Sequence, residues 1–170
     1  MTSPKWDKIV AEMKQEFPWF RVFEKDTSKL SKFLFYAGLV FLWCPNWMTN
    51  FTHTGGPWVW MPKRFIGTDA GYQILRHERV HMRDAKKWPI LFQLSYITLP
   101  VGPSGRAYWE FRAYKESMRA EFEAWGKIPD ASIHWYCQQF TSSKYLWMWP
   151  FEKDIRARFE QARKDIVNGR

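Results

Sequence analysis

His77, Glu78 and His81 lie in the stretch "LRHERVHMRDA", residues 75–85, and form the pattern H-E-x-x-H in a chain that has only four histidines. On a helix, residues four apart stand one turn above each other on the same face, so both imidazoles can aim at one ion. Glu78 follows the first of them directly and leans toward the coordination position that the ligands leave open, where a carboxylate can take a proton from water. Two ligands and a general base are the beginning of a hydrolytic zinc centre. A catalytic zinc takes three protein ligands, so the third has to be found elsewhere.

Asp84 stands three residues after His81 but two turns from His77, about 10 Å along the axis, and cannot join both histidines on one small ion. It reads instead as a carboxylate behind the ligands or as an ordinary surface charge. Lys87 occupies the place where the metzincin pattern needs its third histidine, which excludes that arrangement. Glu110 is the best candidate, 29 residues after His81 and on the next clear helix. It borders that helix's apolar stripe, beside Phe111 and Tyr114, and an inward carboxylate needs a partner. Zinc would supply one; a salt bridge to Arg106, one turn earlier, is the alternative.

The elements that must position these groups follow from pattern and punctuation. Ser3-Pro4 starts a helix over 4–16, with Trp6, Ile9, Met13 and Phe17 at helical spacing. "FRVFEK" reads as a strand, and "SKLSKFLFYAGLVFLW" as a second, largely buried helix. In "NFTHTGGPWVWMP" two β-prone runs flank Gly55-Gly56, which suits a hairpin turn, and Pro57 and Pro62 mark "WVWM" as an edge strand. Thr68 and Asp69 cap a helix over 69–87 that carries the motif, and Trp88-Pro89 stops it. "ILFQLSYITLPVGPSG" is apolar and then turn-rich. A further helix runs through Phe111, Tyr114, Met118, Phe122 and Trp125 to Gly126, and a last one carries Phe151, Ile155, Phe159, Ala162 and Ile166. Residues 127–150 show no assignable pattern. The sum is an α+β chain, mostly helical, with a short sheet whose edge strand precedes the motif helix, in a single domain over 1–170.

Composition narrows the partners. Twenty-six basic against 17 acidic residues give a formal charge of +9, which favours anionic partners, but the charges alternate along the chain and form no nucleic-acid motif. Twelve tryptophans and fourteen phenylalanines predict a thick aromatic core with some large rings left at the surface. Cys44 and Cys137 form no metal or redox pair, and the first residues lack the features of a secretory signal, so a reducing, cytoplasmic setting is expected. The uncharged run "FLFYAGLVFLWC" has twelve residues, too few to span a membrane, and no transmembrane segment is predicted.

Three stretches in order, "FTHTGGPWVWMP", "ILRHERVH" and "EFRAY", resemble the gluzincin class of zinc metallopeptidases. The likeness is to its small one-domain members, the minigluzincin-like proteins of bacteria and phages, and covers roughly residues 50–125. The resemblance implies a zincin-like fold, one Zn2+ per chain held by His77, His81 and Glu110, Glu78 as general base, and "WVWM" as the edge along which an extended peptide pairs. Arg76 and Arg79 are more basic than the residues usual there.

The expected activity is hydrolysis of peptide bonds by a metallopeptidase that activates water. Oxyanion stabilisation is assigned first to Tyr114, four residues after Glu110, with Arg106 and His53 as alternatives. His53 and His134 are otherwise read as structural or surface histidines. The competing expectation is a basic, aromatic-rich binding or structural protein, associated with a virion or a membrane surface, on an inactive metallopeptidase scaffold. A DNA-linked protease is the weakest reading. Seven basic and three acidic residues between Lys63 and Lys87 would suit an anionic surface or acidic substrates.

Overall fold

The computed structural model describes residues 2–37, 47–97, 105–142 and 147–169. Its elements are α1 (Pro4–Glu16), β1 (Arg21–Glu24), α2 (Lys29–Ala37), β2 (His53–Gly55), β3 (Trp58–Met61), α3 (Asp69–Lys87), α4 (Pro89–Ile97), α5 (Gly105–Trp125), α6 (Asp130–Thr141) and α7 (Glu152–Val167). A helical turn at Trp47–Asn50 and a 3-10 turn at Lys63–Phe65 complete the set. The fold is α+β, mostly helical with one three-stranded sheet. Most of the apolar run that follows Phe33 lies outside the described residues, as does Cys44. Among the described residues no helix is long and apolar enough to cross a membrane.

The contacts group the chain into two compact units, Met1–Met82 and Arg83–Arg170, and α3 runs through the boundary. In the first unit the expected stripe of Trp6, Ile9, Met13 and Phe17 is buried, packed with Phe20, Val59, Met61, Leu75 and Met82. Gly71 permits the start of α3 to come this close, because a Cβ there would stand 2.0 Å from the Phe65 carbonyl oxygen and 2.7 Å from the Trp6 ring. Arg79 fastens α3 to α1: its Nε donates to Glu16 at 2.7 Å and its Nη1 to Glu12 at 2.7 Å. The unusual basic residue inside the motif is thus a structural clamp between the two helices.

The sheet corrects one expectation. Its order is β1-β3-β2, with β1 parallel and β2 antiparallel to β3, so "WVWM" is the central strand and both its edges are taken. Pro57 and Pro62 flank the strand rather than fall within it, so neither removes an amide from the ladder. The hairpin turn is Gly56-Pro57, with Gly56 at φ +60°, while Gly55 pairs with Trp58 as the end of β2. Alternation then puts Val22, Thr54 and Val59 on one face, and Phe23, His53, Trp58 and Trp60 on the other.

In the second unit Phe140 and Phe159, both fully buried, centre a core completed by Tyr114, Met118, Ile133, Tyr136, Met148, Ile155 and Ile166. The unassigned stretch 127–150 contains α6, whose Ile133, Tyr136, Cys137 and Phe140 point inward. The carboxylate of Glu121 is buried there and accepts hydrogen bonds from Ser132 at 2.5 Å and Tyr136 at 3.1 Å. Burial, and then this neighbouring carboxylate, push the Tyr136 hydroxyl well above its ordinary pKa. Trp125 and Phe151, at the ends of the expected stripes, are exposed.

Candidate metal centre

Helix α3 has the bounds its punctuation predicts. Thr68 caps it: its Oγ1 accepts from the Gly71 amide at 3.0 Å and donates to the Phe65 carbonyl at 2.7 Å. Leu75 and Met82 are buried on the side that packs into the first core, and this fixes the helix about its axis.

The Nε2 atoms of His77 and His81 converge to 3.2 Å, with ring centroids 4.9 Å apart and planes at 75°. Two nitrogens about 2.0–2.1 Å from a tetrahedral zinc stand roughly 3.3 Å apart, so the pair already has the spacing of two ligands. His81 is buried and His77 half-buried. Glu110, on α5, is buried. His77, His81 and Glu110 each offer a ligand atom, and these atoms lie within 4.8 Å of one another, which makes them a candidate metal-binding triad. Two imidazoles and a carboxylate suit zinc and other first-row divalent ions alike.

Asp84 is not a surface charge. It is buried, and its carboxylate is engaged by Arg112 at both oxygens, Nη2 at 3.0 Å and Nε at 3.1 Å. The pair ties the last turn of α3 to α5, with Asp84 three residues beyond His81 and Arg112 two beyond Glu110.

No family model, curated protein or solved structure matches the chain. Function at this site therefore has to follow from the donor set and its neighbours.

Glu78 is buried, and its Oε2 accepts a hydrogen bond of 2.6 Å from the Thr54 hydroxyl. Thr54 is the residue that reading of the sequence missed. Period-2 alternation alone would have put it on the opposite face from His53, but its partner on α3 is set by packing. The bond selects one rotamer of Glu78.

His53 lies on the sheet's other face, stacked on Trp60 with centroids 5.0 Å apart. Burial, and then the nearby ammonium of Lys25, lower its pKa from 6.5 to about 4. The ring is therefore neutral at pH 7 and brings no positive charge to an oxyanion. A depressed histidine pKa means that the unfolded chain binds more protons than the native one between about 4 and 6.5, so stability is full above that window and falls as pH drops through it. The expected loss between pH 7 and 4.5 is up to about 3 kcal/mol. Denaturant unfolding of wild type and His53→Gln at both pH values checks this: the variant should lose that part of the pH dependence.

His134 is exposed in the second unit, hydrogen-bonded to Gln138 at 3.0 Å and Arg156 at 3.3 Å, in keeping with a surface histidine. Arg106 is half-buried in the first turn of α5. Tyr114, one turn after Glu110, is buried with its ring against Trp135, Tyr136 and Phe140.

Proposed function

We propose that this chain is a zinc-dependent metallopeptidase of the gluzincin kind. The observation that carries the reading is the approach of His77, His81 and Glu110 within 4.8 Å, with the buried Glu78 next to the first ligand in sequence. His77, His81 and Glu110 would hold the ion. Zinc, when bound, lowers the pKa of a water molecule and polarises the scissile carbonyl. Glu78 takes the proton from the attacking water and delivers it to the leaving amine, and Thr54 holds the carboxylate for both transfers.

Among the described residues β1 and β2 both end the sheet, and of these β2 is the one assigned to an extended peptide in this reading, rather than "WVWM", because Thr54 links it to Glu78. Its three residues suit recognition of a short backbone segment. Tyr114 serves in this reading as the oxyanion donor. Tyr114→Phe keeps the ring in its aromatic packing and removes only the hydroxyl. It should lower kcat about 10²-fold with KM little changed. Wild-type kcat in the variant would make the hydroxyl a core group.

Metal analysis of the purified chain tests the proposal first. Near one equivalent of zinc per chain is expected, with hydrolysis of labelled casein lost on chelation and restored by added zinc. A chain that takes up no zinc after chelation and reloading would sink it.

A further inference from the structure

Helix α4 turns apolar side chains outward. Phe92 is buried against Trp109, with ring centroids 5.4 Å apart, whereas Ile90, Leu91 and Leu94 are 75%, 55% and 57% exposed. At about 100° per residue these three span an arc of roughly 100° on the side away from Phe92. A helix resting on a core in water shows polar groups there, so this face is composed for an apolar environment.

Charge identifies that environment. Between residues 83 and 97 the chain holds Arg83, Lys86 and Lys87 against a single acid, Asp84, whose carboxylate is engaged by Arg112. All three bases are exposed. Trp88, 47% exposed, separates them from the apolar face, and the Lys87 ammonium lies 5.6 Å from the centre of its ring. The order is that of a lipid boundary: isoleucine and leucine at the acyl level, an indole at the headgroups, and ammonium groups reaching phosphate. A second copy of this chain would bring the same cations to the same place, so self-association through this face is opposed by charge.

We propose that the second unit docks on an anionic lipid bilayer through α4, with Ile90, Leu91 and Leu94 inserted and Arg83, Lys86 and Lys87 at the headgroups. A helix of nine residues lies in the interface and does not span it.

Vesicle flotation of the full chain tests this, using phosphatidylcholine vesicles with and without phosphatidylglycerol. Binding is expected only with phosphatidylglycerol and should weaken with salt. Leu91→Glu/Leu94→Glu should reduce it by at least about tenfold, and Lys86→Gln/Lys87→Gln by about tenfold. Both pairs are exposed, and unchanged thermal melts would confirm that the variants fold. Absence of binding to the anionic vesicles, or equal binding by the leucine variant, would overturn the proposal. So would a dimer on gel filtration that the leucine variant dissolves, because a second copy would then cover the face.

Discussion

Glu78→Gln is expected to retain about one zinc per chain and to lower kcat by 10²- to 10⁴-fold, the range of a positioned general base. The amide is nearly isosteric with the carboxylate and can still meet the Thr54 hydroxyl, so the fold and the imidazole pair should be undisturbed. What it loses is the ability to hold a proton between attack and departure of the amine. Glu110→Gln and His81→Ala should behave in the opposite order, losing metal first and activity as a consequence. Metal content measured beside turnover separates base from ligand. A Glu78→Gln chain that binds no metal would place Glu78 among the ligands instead, and one with wild-type kcat would remove it from the reaction.

Phe159→Ala should have the largest effect on stability, costing about 3–5 kcal/mol. The ring is fully buried and meets Phe111 at 5.0 Å, Tyr136 at 5.6 Å and Phe140 at 5.4 Å between centroids. Truncation leaves a cavity among rigid aromatic neighbours on two other helices, α5 and α6, which cannot collapse into it without losing their own contacts. For a unit of this size the melting transition should fall by roughly 15 °C or more. Phe159→Leu, which refills most of the volume, should cost less than half as much. Differential scanning calorimetry checks both, and an unchanged melt for the alanine variant would show that this core does not limit stability. Such a loss should also weaken metal binding, because Glu110 is carried by α5, whose Phe111 packs on Phe159.

Much of the framework is legible in the sequence. Pro4, Thr68 and the Trp88-Pro89 step mark helix ends, and the bounds of α1 and α3 follow them closely. The stripes of Trp6, Ile9 and Met13, and of Ile155, Phe159, Ala162 and Ile166, became buried faces. These signals are local: capping, ring constraint on φ and the 3.6-residue period each act within a few residues of one another. The same locality brings His77 and His81 together, one helical turn apart.

Other features depend on contacts between distant segments. Proline position suggests an edge place for "WVWM" because it argues only about the strand's own amides, whereas strand order depends on which segments close onto it. Its neighbours come from residues 21–24 and 53–55. Asp84 could be rejected as a ligand by helix geometry, but only packing revealed it as the buried partner of Arg112. Thr54 carries no motif, and it acquires a role because its strand lies against α3. The sequence by itself determined the paired imidazoles, the carboxylate beside them and the helix that bears them, since these rest on spacings of one to four residues. The tertiary structure decided the approach of Glu110 to the imidazoles, the hydrogen bond from Thr54 to Glu78 and the order of the strands, because each depends on contacts between residues more than twenty positions apart in the chain.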